Sequence, residues 1–244
     1  TLALNHAEKA LALDGRAVAA HRLMARALLA KGEMGKALEE LRLLRKNFPD
    51  DLTLRLTMAQ AYNALGNRKE SEAVIRKAVT DFPESGLPYA QLGHFAVQRG
   101  DTGEAVAYYR QALEKDPEQV ESLNNLAALM TDQDDKLEEA LELARQARKM
   151  APENPQVLDT LGWIHCRKKE YQQALILLSY AVRHLPRNAN IHYHLAVAFE
   201  GAGRMDRARA GLRRALQIDP DFPHAADAQQ RLNRLQTQTD GAGD

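Results

Sequence analysis

GLPYAQLGHFAVQRGDTGEAVAYYRQALEKDPEQ, residues 86–119, is the stretch that decides the fold. Leu92 and Ala96 lie four residues apart, which places them on one face of a helix. Gly100 interrupts the apolar pattern, because glycine accepts the left-handed conformation that ends a helix. A second apolar-periodic run follows and ends at Pro117, since proline disfavours helix at the residue before it. The stretch therefore predicts two short helices joined by a tight turn.

The same unit recurs along the whole chain. Prolines that close a long apolar-periodic run stand at positions 49, 83, 117, 152, 186 and 220. They are 34 residues apart, except for one step of 35. A fixed period in this range is typical of a solenoid, in which one helix pair stacks on the next. We therefore predict an all-α chain.

The unit resembles the tetratricopeptide repeat, a 34-residue helix–turn–helix. Residues 86–119 carry the small and large residues of that signature at Tyr89, Leu92, Gly93, Ala96, Gly100, Ala105, Tyr109, Ala112 and Pro117. The resemblance implies an all-α, right-handed superhelical solenoid of antiparallel helix pairs. It also implies that the first helix of each pair lines a concave groove, in which a protein or peptide ligand binds.

The repeat register divides the chain into segments. We predict the second helix of a truncated repeat at 1–17, six repeats over 18–222, a capping helix at 223–236 and a disordered tail at 237–244. The repeats span 18–51, 52–85, 86–119, 120–154, 155–188 and 189–222. Because the chain starts in the middle of a repeat, with Gly15 where a closing proline is usual, we expect further repeats upstream.

Composition narrows the class of function. Acidic and basic residues balance at 33 each, and nucleic-acid-binding domains are normally strongly basic. No run of 18 apolar residues is present, so we expect no direct membrane insertion. A single cysteine, Cys166, excludes an intrachain disulfide and a zinc cage of cysteines. We predict no nucleic-acid partner, no metal and no cofactor.

The extra residue of the fourth repeat falls in an acidic turn, TDQDDK, residues 131–136. One interpretation is a solvated helix start, where acidic residues near the N-terminus are favourable. The other is a calcium loop, although the turn lacks the spacing of acidic ligands that such loops use.

Polar residues of the first helices are the candidate ligand contacts that the resemblance implies. The predicted partner-binding groove consists of Arg22, Arg26, Gln60, Asn63, His94, Gln98, Asn124, Asp159, Trp163, Arg167 and Tyr193. Glu121, Asp132, Cys166, Asn190 and Glu200 occupy further groove places. Such a mixed surface suits an extended peptide, with polar side chains for hydrogen bonds and an aromatic anchor.

Trp163, the only tryptophan, has two interpretations: it anchors a partner, or it packs against the first helix of the next repeat. Some members of the family bind C-terminal carboxylates through a clamp of lysine, asparagine and arginine. Arg22 and Arg26 match that clamp, but Thr57, Ala90 and His94 depart from it. We therefore expect a different ligand from that of the chaperone-binding members.

Catalytic signatures are missing from the sequence. His192 and His194 are two residues apart, so on a helix they diverge and cannot grip one ion from one face. Cys166 follows His165 directly, and nothing in the sequence predicts an oxyanion hole beside it. No HExxH, GxSxG or glycine-rich phosphate loop is present. We predict that the chain is not an enzyme.

The last repeats resemble those of bacterial lipoproteins associated with exosortase (the PEP-CTERM system) and of scaffolds of exopolysaccharide secretion. The residues that carry this resemblance are Asp159, Gly162, Trp163, Tyr193, His194, Leu195, Pro223 and Ala226. It implies an envelope scaffold whose partner is an exopolysaccharide-modifying enzyme or an export component, in the periplasm or at the outer membrane. The alternative is a cytoplasmic adaptor or co-chaperone.

Overall fold

The structure is a computed structural model that describes residues 2–14 and 17–240. All regular secondary structure in that part of the chain is helical, which confirms the predicted all-α class. The chain divides into two compact units, residues 1–117 and 118–244. The division falls at Pro117, two residues before the end of the third predicted repeat.

The first unit is a stack of helices in which chain neighbours pack together. Its helices are α1 (Leu2–Leu13), α2 (Val18–Lys31), α3 (Met34–Asn47), α4 (Leu52–Ala64), α5 (Arg68–Asp81), α6 (Leu87–Arg99) and α7 (Thr102–Lys115). Two- to five-residue connections reverse the chain between neighbours, so each pair is antiparallel. Each predicted repeat range in this unit holds one pair.

The second unit has the same internal arrangement of helix pairs and ends in a long single helix. Its helices are α8 (Val120–Met130), α9 (Leu137–Met150), α10 (Pro155–Arg167), α11 (Tyr171–His184), α12 (Ala189–Gly201), α13 (Met205–Ile218) and α14 (Ala225–Asp240). The extra residue of the fourth repeat lies beside a 3₁₀ turn, Asp134–Lys136. An insertion at this solvated turn leaves the helix pair intact.

The first and the last helix match the segments predicted from the sequence to different degrees. α1 occupies most of the segment predicted as a second helix, and its Leu4 and Ala7 are buried. Gly15 lies outside the described residues. At the other end the predicted boundary is wrong, because α14 continues to Asp240 and takes in the start of the tail predicted as disordered. No glycine or proline stands between 236 and 240 to end the helix. Residues 241–244 lie outside the described part.

Helix ends follow local chemistry. Asp51, Asp101, Asn154 and Asn188 each cap a helix by accepting a hydrogen bond from a backbone N–H of its first turn. Gly100 ends α6 with φ of 78°. In the fifth repeat Lys169 takes the corresponding left-handed conformation, with φ of 60°. Non-glycine residues rarely adopt this conformation.

Small side chains at the crossing of the two helices set how closely each pair packs. The predicted small residues of the second helices, Ala37, Ser71, Ala105, Ala140, Ala174 and Ala208, are fully buried. Gly93 lies against the ring of Tyr109, where a β-carbon would be 2.8 Å from Cε1. At Gly162 a β-carbon would be 2.7 Å from Cγ of Leu178. Both glycines are therefore required by space.

Leu92 tests the predicted register. It is 4% exposed and packs with Ala59, Ile75 and Phe95. Leu92→Ala should lower the free energy of unfolding by ~2–5 kcal/mol, because it removes buried contacts and leaves a cavity. Urea denaturation followed by circular dichroism measures this. The control, Leu87→Ala, truncates a leucine of α6 that is 44% exposed and should cost less than ~1 kcal/mol. Equal effects would contradict the register.

Gly162 tests the close helix crossing. Gly162→Ala should destabilise the protein by ~1–3 kcal/mol, since the added methyl group overlaps Leu178. The matched change is Gly35→Ala in α3, where no atom lies within 4 Å of the new β-carbon. That variant should be neutral or up to ~1 kcal/mol more stable. Thermal unfolding compares the two, and a Gly162→Ala protein as stable as wild type would show that the crossing is loose.

Candidate partner-binding surface

In each unit, polar side chains of the first helices form a surface that we call the first-helix face. In each repeat the apolar residues of the first helix pack against its own second helix or a neighbouring repeat, and the remaining residues point outwards. In α6, for example, Leu92, Phe95 and Ala96 are buried, whereas His94 and Gln98 are exposed. This helical alternation places the candidate contacts of each unit on one side.

In the first unit a hydrogen-bonded chain joins two successive first helices. The Nδ2 atom of Asn63 in α4 donates to Oε1 of Gln98 in α6 at 3.2 Å. Gln98 in turn donates through Nε2 to Nε2 of His94 at 3.0 Å. Gln60, one turn before Asn63, is exposed. The structure therefore brings together three of the predicted contacts, Asn63, His94 and Gln98.

Arg22 and Arg26 lie at the other end of this face and differ in their partners. Arg22 donates to Oδ2 of Asp51 at 2.7 Å, and its guanidinium lies 5.4 Å from the ring centre of Phe48. Arg26 forms no such pair with any residue of 2–14 or 17–240. Both side chains line a pocket of about 360 Å³ together with Leu54 and Thr57. Arg26 is thus the cation of this pocket that is available to a ligand.

In the second unit Trp163 stacks on the next first helix. Its ring lies 4.4 Å from that of His194, with 15° between the planes. The His194 Nδ1 atom is 2.8 Å from Oδ1 of Asp159, so the imidazole donates to the carboxylate. The second interpretation of Trp163 therefore describes one of its roles. Its other edge remains partly exposed and lines a pocket, so anchoring a partner stays a prediction.

Tyr193 is buried, which corrects the sequence-based interpretation of it as a groove residue. It is 3% exposed, and its hydroxyl donates to Oδ2 of Asp227 in α14 at 2.5 Å. Its ring stacks on His224 at 4.8 Å between centres and lies 5.8 Å from that of Phe222. α14 covers this part of α12, as the first helix of a further repeat would. Tyr193 consequently serves packing.

Arg167 is held by the acidic turn of the preceding repeat. It donates to Oδ1 of Asp132 at 2.7 Å and to Oδ1 of Asp134 at 2.9 Å. Lys168 makes an ion pair with Glu138. These contacts give the acidic turn a structural role between repeats. They also mean that a ligand of Arg167 must compete with two carboxylates.

Asn124 occupies a half-buried place on α8. Its Oδ1 atom is buried and has no hydrogen-bond partner among the described residues. Such an acceptor is unfavourable unless a donor reaches it.

A pocket of about 640 Å³ opens on the first-helix face of the second unit. Trp163, Cys166 and Val197 supply apolar surface, and Arg167, Glu200, Arg231 and Arg234 supply charge. Arg231 donates to Oε2 of Glu200 at 2.8 Å, and Arg234 makes a second ion pair with the same carboxylate. The pocket therefore combines an aromatic wall with an ion-paired rim.

Sequence reasoning missed the contribution of α14 to this pocket. Asp227, Arg231 and Arg234 stand one 34-residue period after Tyr193, Val197 and Glu200. Extending the repeat register past Pro220 would have placed them on the first-helix face. The ion pair of Arg231 with Glu200 could not be predicted in this way, because it depends on the positions of the two side chains.

Burial determines the electrostatics of this region. It raises the pKa of Tyr193, and the hydrogen bond to Asp227 adds to that rise. It lowers the pKa of His224, with a further contribution from His194. Both side chains therefore stay neutral near pH 7 and are compatible with their packed positions.

Two kinds of site are not found among residues 2–14 and 17–240. No cluster of three or more His, Cys, Asp or Glu side chains there could hold a metal ion. The helices of that part are also too short or too polar to cross a bilayer.

Comparison with known proteins places these features in a family. Tetratricopeptide repeat models match residues 1–51, 52–80, 96–164 and 167–232. A TPR repeat-containing protein of Pseudomonas aeruginosa is 27% identical over 161 residues, which are 65% of this chain and 27% of that protein. Cellulose synthase operon protein C of Xanthomonas axonopodis pv. citri is 28% identical over 198 residues, 78% of this chain and 13% of that protein.

A solved structure agrees with the fold. A chain of the APC/C hetero-tetramer Cut9–Hcn1 has a TM-score of 0.77 at 17% identity, covering 94% of this chain and 45% of that one. The chain spans much less than two thirds of the length of the curated relatives described above. The matched models and the stacked helix pairs together show that the chain belongs to the tetratricopeptide repeat family.

Proposed function

We propose that the chain is a non-enzymatic scaffold that binds a segment of a partner protein along the first-helix face. The tetratricopeptide repeat fold supports a role in protein–protein interaction. The observation that carries the proposal is the chain of Asn63, Gln98 and His94, which aligns polar groups of two successive first helices on one exposed face. Amide and imidazole groups in such a row can exchange hydrogen bonds with an extended backbone.

The second unit has a candidate anchor on its own first-helix face. Its pocket of about 640 Å³ has the exposed edge of Trp163 on one wall and Arg234, whose side chain is 53% exposed, on its rim. Aromatic and arginine side chains dominate the binding energy of many interfaces. We infer that a large apolar side chain of the partner enters here.

Cellular context is the finer part of the proposal. We place the scaffold in the bacterial envelope, periplasmic or associated with the outer membrane, in an assembly for exopolysaccharide or protein export. The similarity to the cellulose synthase operon protein C supports this setting. Fractionation of the native host with antibodies against the chain tests it, and recovery in the cytosolic fraction alone would favour a cytoplasmic adaptor.

The absence of catalysis is also part of the proposal, and Cys166 bears on it. Burial, with a contribution from the charge of Asp159, raises the pKa of the Cys166 thiol to about 12. The thiol lies 3.8 Å from the carbonyl oxygen of His194 and is 5% exposed. A buried, protonated thiol is a poor nucleophile.

Cys166 should therefore react slowly with iodoacetamide at pH 8. We expect the native chain to be alkylated about a hundredfold or more slowly than the same chain in urea, because little thiolate is present and access is blocked. Mass spectrometry over time measures the rate. Equal rates in the two states would show an activated or open thiol and would reopen the enzymatic alternative.

Partner recovery tests the first-helix face directly. A pull-down from the native host compares wild type with the double variant Trp163→Ala and Arg26→Glu. We expect at least about tenfold less partner, since an aromatic anchor and a free cation are both lost.

The matched control changes one apolar and one basic residue of the second helices, Ile176→Ala and Lys149→Glu, which are exposed. It should recover the partner as wild type does. Circular dichroism establishes that both variants are folded. Unchanged recovery with the first variant, or the same loss with the control, would remove the first-helix face from the proposal.

A further inference from the structure

A groove lined by the second helices α3 and α5, and by α4 between them in the chain, carries an excess of positive charge. We propose that this groove, which we call the α3–α5 groove, binds an acidic peptide segment that presents an apolar side chain. It belongs to the first unit and is built mainly from second helices, so the inference is independent of the first-helix face.

Two adjoining pockets form the α3–α5 groove. One, of about 400 Å³, is lined by Arg45, Pro49, Arg55, Ala73, Val74 and Lys77. The other, of about 620 Å³, shares Arg45 and Pro49 and adds Arg42, Lys46, Met58 and Tyr62. Five of these lining residues are cationic and none is acidic. A concave surface of one charge concentrates its field and attracts the opposite charge.

The cations differ in how far they are already engaged. The Arg55 side chain is 11% exposed, donates to the backbone oxygen of Pro49 at 2.6 Å and 3.1 Å, and pairs with Asp81. Arg55 thereby links the connection before α4 to the end of α5. Lys77 reaches Asp81 at 3.4 Å but is 66% exposed. Arg55 is thus structural, and Lys77 remains accessible.

On the other side, Arg42 donates to the hydroxyl of Tyr62 at 3.0 Å. Arg45 and Lys46 are exposed and have no hydrogen-bonded or ion-paired partner among the described residues. These two side chains lie at consecutive positions near the end of α3, beside Pro49, which lines both pockets. An incoming carboxylate can therefore pair with Arg45 or Lys46 without displacing a carboxylate of the protein.

The floor of the groove favours a peptide over other polyanions. Ala73 and Val74 of α5, with Pro49, present aliphatic surface between the basic side chains. A leucine or phenylalanine side chain would cover that surface, whereas an acidic polysaccharide has no side chain to do so. A flat membrane surface would contact the basic side chains at the rim but would not reach the aliphatic floor. An acidic segment with one apolar residue matches both the charge and the floor.

The repeat supplies a matched control. In α9, Arg148 and Lys149 stand at the same places in the fourth repeat as Arg45 and Lys46 in the first. Reversing either pair changes the net charge of the chain by the same amount. A difference between the two variants therefore reports the groove and not overall charge.

The experiment uses two fluorescein-labelled peptides, one rich in glutamate with a central leucine and one with glutamine in place of each glutamate. Fluorescence anisotropy is read at low and physiological salt. We expect the glutamate peptide to bind wild type, and to bind the variant Arg45→Glu, Lys46→Glu at least about tenfold more weakly. Binding should weaken as salt rises. The variant Arg148→Glu, Lys149→Glu should bind as wild type does.

Several results would overturn the proposal: no measurable binding of the glutamate peptide to wild type, equal affinity for the glutamine peptide, or equal losses in the two charge-reversed variants. Tighter binding of polygalacturonate, or of vesicles containing phosphatidylglycerol, would also overturn it in favour of another polyanion. Val74→Asp should weaken peptide binding, because it places a carboxylate on the floor. The variant Trp163→Ala, Arg26→Glu should leave binding unchanged, which separates this groove from the first-helix face.

Discussion

The close crossing of two helices within each repeat is the constraint on which the structure depends. At Gly93 and Gly162 even a β-carbon would overlap the side chain of the facing second helix. The pair can approach this closely only because one residue has no side chain and the facing positions, such as Ala105 and Ala174, are small. A close pair leaves the rest of the first helix free to meet the neighbouring repeat or to face outwards. The binding surface is therefore a consequence of how the core is packed.

Stacking also explains why the last repeat needs α14. Within a unit, a first helix buries part of its surface against the next repeat, and without a following helix that surface would be exposed. α14 fills that place: Tyr193, Phe222 and His224 form an aromatic cluster beneath it, and Asp227 accepts the hydrogen bond of the tyrosine hydroxyl. The same helix contributes Arg231 to the pocket beside Trp163. The helix that covers α12 and α13 therefore also completes the pocket.

The basic side chains fall into two groups. Some bind carboxylates or backbone oxygens of a neighbouring repeat or connection, and others are available to a ligand. Arg167 is tied to the acidic turn by two carboxylates, and Arg55 is tied to the backbone before α4. Exposed ion pairs contribute little to stability individually, but they fix the direction of these long side chains. Within the part of the chain that the structure describes, Arg45 and Lys46 have no such ties. The chain thus offers two candidate surfaces of different chemistry, a polar and aromatic one on first helices and a cationic one between second helices.

The sequence alone determined the all-α class, the repeat period and the helix pairs, because spacing of apolar, small and turn residues is local information. It also indicated which helix presents the polar residues. Only the tertiary structure decided which of them are free: Tyr193 is buried against α14, Asp159 accepts from His194, and Gln98 links Asn63 to His94. Most of these partners lie about one repeat apart in the chain. Their contacts depend on how side chains pack, which the repeat period does not specify. The α3–α5 groove was unpredictable for the same reason, since it exists only where side chains of different repeats meet in space.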